Sequence, residues 1–159
     1  QLARAYTLFA NAGVLVPARL LKLEEDEKLY ETKVMKTSTA HQVLEMMEKV
    51  VGPKGTAKQA AITGYRVAGK TGTVKKSAAG GYLDDSYLSV FAGVVPVSNP
   101  RLAMAVMVNE PRENGYYGGQ VAAPVFQQVM AQALRLMNIS PDDLPALQQV
   151  ASAGQGGVL

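Results

Sequence analysis

The sequence predicts an α+β domain in which an antiparallel sheet of three strands is flanked by helices. Two apolar runs at 90–95 and 102–108 are short, uninterrupted and rich in Val, as expected of strands covered on both faces. The link between them at 96–101 is too short for a helical crossover, so they should pair antiparallel. An extended stretch at 65–74 adds a third strand, and Phe126, Val129, Met130, Ala133, Leu134 and Met137 recur at helical spacing, a stripe fit to cover one face of the sheet. With 159 residues, 48% of them hydrophobic, the chain suffices for one domain that buries roughly 70% of its unfolded surface.

In chain order, Leu2, Ala5, Tyr6, Phe9 and Ala12 read as the interior of a first helix that no capping residue precedes, so the chain is expected to begin inside a larger domain. That helix should stop at Asn11-Ala12-Gly13, where glycine supplies a left-handed residue. Residues 14–23 then continue extended past Pro17, followed by a polar hairpin or loop. Thr39-Ala40-His41-Gln42 reads as a capping box opening a second helix to Val51, which buries Val43, Leu44, Met47 and Val50 or Val51 and ends at Gly52-Pro53. Residues 54–61 read as loop, and 77–81 as a turn. The last helix has Pro124 in its first turn and ends at Asn138. The domain is expected over 1–139 and a flexible tail over 140–159, whose Pro, Asp, Gln, Ala and Gly leave little to bury.

Composition excludes several function classes. The net charge of +3 comes from scattered cations, and the densest run, Lys75-Lys76, is too short for a nucleic-acid footprint. There is no Cys and a single His, His41, which reads as a surface residue in the first turn of a helix. Disulfides, thiolate nucleophiles and Cys-ligated metals are therefore excluded, zinc catalysis is disfavoured, and no cofactor is expected. No stretch reaches the ~20 apolar residues of a membrane span.

The chemistry concentrates at Gly69-Lys70-Thr71-Gly72-Thr73. Residues 64–71 also satisfy the phosphate-loop pattern G-x-x-x-x-G-K-[ST], but Tyr65, Arg66, Val67 and Ala68 favour extension and Thr-Gly-Thr-Val after Lys70 is poor helix material, which argues against nucleotide binding. On a strand, Lys70 and Gly72 face one way and Thr71 and Thr73 the other, so a site that uses all four must lie along a strand edge. There Gly72 admits a substrate backbone, while the cation and hydroxyls can meet its carboxylate. The plain alternative is an edge lysine that only blocks aggregation.

Lys-Thr-Gly is one of three motifs of active-serine enzymes that acylate on penicillin or D-alanyl peptides; the other two, Ser-x-x-Lys and Ser-x-Asn, are absent from this sequence. Gln1-Leu2-Ala3-Arg4-Ala5-Tyr6, Asn11-Ala12-Gly13, Pro17, Gly55-Thr56-Ala57 and residues 64–73 occur in the order seen in class B penicillin-binding proteins. The chain resembles the C-terminal part of such a transpeptidase over about residues 1 to 145. Tyr116-Tyr117-Gly118-Gly119, residues 122–126 and residues 134–139 resemble its division-specific branch most closely.

The resemblance implies a peptidoglycan D,D-transpeptidase, in which a serine outside this chain attacks the bond between two terminal D-alanines and passes the acyl group to a neighbouring strand; the alternative is a non-catalytic β-lactam-binding sensor of the same fold. Lys70 would supply positive potential, the hydroxyls of Thr71 and Thr73 would bind the carboxylate of D-alanine or a β-lactam, and the Thr73 amide would donate to the oxyanion, with Gly72 giving access. Tyr116, Tyr117 and Gly118 could form a wall beside the substrate, or the tyrosines could pack on the last helix. Lys75 reads as a strand-end cation that points toward the site by analogy or is merely solvated. The implied partners are peptidoglycan stem peptides, β-lactams, the upstream half of the same domain and cell-division proteins. The implied location is the bacterial periplasm, with an inner-membrane anchor outside this chain.

Overall fold

The computed structural model describes residues 1–22, 24, 29–79, 81–112 and 115–144. Its elements follow in the order α1 (Leu2–Ala10), β1 (Val14–Leu15), β2 (Thr32–Lys33), α2 (Thr37–Val51), β3 (Ala68–Ala78), β4 (Gly81–Val95), β5 (Leu102–Asn109) and α3 (Gly118–Leu136), with a 3-10 turn at Lys58–Ala60. The expected meander is present: β3, β4 and β5 pair antiparallel in that order, and β3 is an edge. A separate ribbon joins β1 to β2.

Register fixes the layers, because residues paired across an antiparallel sheet share a face. Phe91, opposite Thr71 and Val106, turns toward α3 and meets Phe126 edge-on, with ring centroids 4.9 Å apart. Around that pair lie Val51, Val67, Val95, Ala122, Ala123, Met130 and Leu134. On the other face Ala68, Val94 and Leu44 pack with Tyr6, Phe9 and Ala103, so α1 and α2 cover one end of that face. They do not reach the far end, where Val74 and Met107 are exposed beside half-buried Leu88 and Val90. Strand β5 is thus not covered on both faces as expected: Met107 is 62% exposed.

Tertiary contacts move several boundaries. Helix α2 starts at Thr37, not at a Thr39 capping box, and Lys36 makes no side-chain cap. The Thr37 hydroxyl instead accepts from Lys33 Nζ (2.9 Å) and donates to the Ala12 carbonyl (3.2 Å), so the helix start is fixed by the turn after α1. Gly13 is left-handed as expected, with φ +89°, and Ala12 joins it at φ 53°. Val43, Met47 and Val50 are only half-buried, while Ala40, Leu44 and Val51 are buried.

The 77–81 turn is narrower than expected, because β3 continues to Ala78 and β4 already begins at Gly81, with a register shift between Lys75 and Ser77. Helix α3 begins six residues before Pro124, so this proline lies inside the helix. Its missing N–H would have served the Gln120 carbonyl four residues back. With its amide assigned in the orientation that the neighbouring carbonyls require, Gln59 Nε2 supplies the donor instead, 3.3 Å from Gln120 O and 3.2 Å from Gly119 O. Val129 and Met137, expected within the covered stripe, are exposed.

Part of the expected tail is docked. The Asp142 carboxylate accepts from Arg66 N (2.7 Å), Ser98 N (3.0 Å) and Ser98 Oγ (2.8 Å), and the amides of Asp142 and Asp143 donate to the Gly64 carbonyl. Tyr65 adds a hydroxyl bond to the Ile139 carbonyl at 2.6 Å, so the segment entering β3 is clamped to the chain beyond α3. The rest of the tail falls on 145–159, outside the described residues.

Candidate active-site edge

The free edge of β3 carries Lys70, Thr71, Gly72 and Thr73 in the extended conformation, so residues 64–71 form no loop-to-helix phosphate cradle. A Cβ at Gly72 would meet only the Val90 Cβ, at 3.5 Å, which leaves the edge open there. Thr71 and Thr73 share one face and line a cleft of about 300 Å³ with Thr56, Tyr117, Gly118, Gly119 and Gln120.

Each hydroxyl in the cleft is oriented by a neighbour. Thr73 Oγ1 accepts the Gly118 N–H at 3.2 Å, taking one of the orphan amides at the start of α3, whose own N-cap Tyr117 makes no side-chain cap. That bond occupies a lone pair of the hydroxyl and leaves its proton to donate. Thr71 Oγ1 accepts from Lys70 Nζ at 3.2 Å and lies 3.2 Å from Thr56 Oγ1. Lys70 is exposed and does not line the cleft; its ammonium also donates to the Thr71 carbonyl at 2.8 Å. The lysine and Thr71 therefore meet at the strand edge although their side chains leave opposite faces.

Gly118 and Gly119 explain why a helix can begin so close to this edge. A Cβ on Gly118 would strike the carbonyls of Val90 and Gly72, and one on Gly119 the carbonyl of Thr56. Their absence of side chains sets the positive end of the α3 dipole at the cleft, where it favours an anion. With the Lys70 ammonium and two hydroxyl donors at the same edge, the arrangement suits a small carboxylate.

The tyrosines differ, and Tyr116 packs on β4 rather than on the last helix. Tyr116 is half-buried and stacks on Tyr87, centroids 4.1 Å apart at 11°, while Tyr117 is 55% exposed and lines the cleft. Their rings tilt together at 4.5 Å, and Tyr116 Oη donates to Tyr117 Oη at 3.2 Å, a bond that raises the Tyr116 pKa above the ordinary phenol value. The buried Ser89 hydroxyl donates to the Tyr116 carbonyl and anchors this turn to β4. Gly118 is buried, and its amide serves Thr73. Lys75 pairs across from Tyr87, is half-buried and does not line the cleft.

Thr56, Gly119, Gln120 and Tyr87 join the site without having been singled out for a role in it. Thr56 had a usable signal, a hydroxyl residue between a glycine and an alanine just before a turn; Tyr87 had none, since only the pairing of β3 with β4 brings it beside Tyr116. Among the described residues no group of His, Asp or Glu could hold a metal ion, and no helix is long and apolar enough to cross a membrane.

Residues 1–131 match the penicillin-binding protein transpeptidase domain family. The chain is 43% identical over 144 residues to the peptidoglycan D,D-transpeptidase FtsI of Escherichia coli, covering 91% of this chain and 24% of that protein. It is 43% identical over 141 residues to a probable peptidoglycan D,D-transpeptidase PenA of Neisseria flavescens, covering 89% of this chain and 35% of that protein. Among solved structures, the transpeptidase domain of Burkholderia pseudomallei penicillin-binding protein 3 superposes with a TM-score of 0.82 at 41% identity, covering 90% of this chain and 43% of that one. The chain thus spans roughly a quarter to a third of the length of these curated relatives.

Proposed function

Because the chain belongs to the penicillin-binding protein transpeptidase family, we propose that it supplies the carboxylate-binding strand of a serine D,D-transpeptidase that cross-links peptidoglycan at the division septum and is acylated by β-lactams. The observation that carries this reading is the cleft itself, in which Thr71, Thr73 and the start of α3 converge beside the Lys70 ammonium on an unpaired strand edge.

In this reading the terminal carboxylate of a D-alanyl stem peptide, or that of a β-lactam, accepts from the Thr71 and Thr73 hydroxyls. Lys70 raises the local potential, Gly72 admits the ligand backbone and the Thr73 amide donates to the oxyanion. Tyr117, more than Tyr116, contacts the ligand, with Gly118 behind it and Lys75 further along the strand. The nucleophile and general base come from outside this chain, whose sequence contains no Ser-x-x-Lys. The open apolar face at Val74 and Met107 supports the packing of a further part of the same domain there. Stem peptides, β-lactams and cell-division proteins are the partners, and the periplasmic side of the inner membrane is the location, with the anchor outside this chain.

Acylation tests the reading. An isolated 1–159 chain incubated with a penicillin should show no covalent adduct by mass spectrometry, whereas the intact transpeptidase that contains it should be acylated. In the intact enzyme Lys70→Ala should slow acylation about ten- to a hundredfold, the effect of a charge-assisted contact worth roughly 1.5 to 3 kcal/mol, while Lys54→Ala should not. An adduct on the isolated chain, or equal rates for the two variants, would sink it.

A further inference from the structure

We infer that Thr56 is a positioning residue for the carboxylate site, holding the Thr71 hydroxyl in the rotamer that serves the ligand; the inference rests on the function proposed above. Its Oγ1 is 3.2 Å from Thr71 Oγ1, across a separation of 15 residues. Two features make this contact a fixed support. The Thr56 carbonyl fills the place that a side chain on Gly119 would take, so the start of α3 is set directly against it. One residue on, the Ala57 amide donates to the Val50 carbonyl at 2.9 Å, which ties the same segment to the end of α2.

Thr71 needs such a support. A threonine on a strand can turn its hydroxyl to more than one staggered position, and only one of them faces a given ligand. Lys70 Nζ donates into Thr71 Oγ1, which occupies one lone pair, and Thr56 Oγ1 takes up the remaining local contact. With the Thr71 oxygen held from two sides, its capacity toward the cleft is set before a ligand arrives, the way outer groups orient inner ones in other polar sites. Thr56 also lines the cleft and is exposed, so an isosteric change there leaves the core alone.

The test uses the intact transpeptidase and two probes, a penicillin with its free carboxylate and the methyl ester of the same penicillin. With the free acid, Thr56→Val should acylate roughly three- to tenfold more slowly, the contribution of one neutral hydrogen bond, and Thr56→Ser should restore the rate. With the ester, wild type and Thr56→Val should react at the same rate, because the group that Thr71 serves is masked. In a Thr71→Val background, adding Thr56→Val should change nothing further. Equal slowing with both probes, no slowing with the acid, or additive losses in the double variant would each overturn the inference while leaving the function standing. A wild-type enzyme that neither probe acylates overturns both.

Discussion

The join between α3 and the sheet allows a sharp contrast between two glycines. Replacing Gly118 with Ala places a methyl 2.6 Å from the Gly72 carbonyl oxygen and closer still to that of Val90, and both are strand backbone that cannot swing aside. Overpacking of this kind costs about 1 to 3 kcal/mol. Displacing the helix start also loses the Gly118 N–H bond to Thr73, about another 1 kcal/mol, while the better helix propensity of Ala returns about the same amount. The net loss is then about 1 to 3 kcal/mol, a fall in Tm of roughly 3 to 10 °C for a domain of 150 to 250 residues. Gly72→Ala meets only the Val90 Cβ, at an ordinary 3.5 Å, so its Tm should match wild type or rise slightly. Its methyl projects from the face shared with Lys70 and Val90, on the edge strand along which the proposed ligand backbone lies, and should slow penicillin acylation at least about tenfold, the effect of ~1.4 kcal/mol of crowding in the transition state. Thermal unfolding and acylation rates of both variants of the intact enzyme decide the matter. A Gly118→Ala protein as stable as Gly72→Ala would refute the close-packing argument, and a fully active Gly72→Ala would refute the edge as the ligand's approach.

Two further outcomes follow from polar clamps away from the cleft. Asp142→Ala removes the acceptor of three hydrogen bonds from Arg66 and Ser98 and should lower stability by about 1 to 3 kcal/mol in urea unfolding, whereas Asp143→Ala, whose amide does its work from the backbone, should lower it less; equal midpoints would count against the clamp. The hydrogen bond from Lys76 (2.6 Å), together with its charge, holds the Glu110 carboxyl below its ordinary value, so this tie between β3 and the end of β5 is fully present above the unfolded value of 4.5 and is lost as the pH falls through the depressed one. Amide protection in the β3–β4 hairpin, taken relative to the intrinsic exchange rate at each pH, should therefore fall on acidification in wild type and change less in Glu110→Gln; the same response in both would remove the ion pair from the explanation.

The sheet was legible because its signals were local. Two continuous Val-rich runs and a link too short for a crossover mark an antiparallel pair, the extended stretch at 65–74 adds the third strand, and the edge position of Lys-Thr-Gly follows from alternation once all four residues are taken to serve one site. Residues 81–89 were not read as strand, since Asp84, Asp85, Ser86 and Tyr87 show no apolar period; β3 pairs with Gly81, Tyr82 and Tyr87 to Ser89, while the register shifts between Tyr82 and Tyr87, where Asp85 is left-handed at φ 59°. The start of α3 escaped for a related reason. Gly118 and Gly119 are poor helix formers, and only the strand carbonyls they approach and the Thr73 hydroxyl that caps them make a helix favourable there. Lys70 was expected near the carboxylate site, and it meets Thr71 at the strand edge while remaining exposed outside the cleft itself.

The cleft also has a bearing on how the protein acquires competence as it folds. Its walls are closed by contacts between residues far apart in sequence, 15 positions from Thr56 to Thr71 and 45 from Thr73 to Gly118. A β-hairpin can form within microseconds, but closing the longer span requires ordering a larger stretch of chain first. The β3–β4 hairpin can thus exist with Lys70, Thr71 and Thr73 in place along an edge, yet with no helix end behind them and nothing to fix the direction of the Thr73 proton. The cleft is complete only when α3 docks, so under the proposed function the capacity to hold a carboxylate belongs to that docked state and not to the hairpin alone.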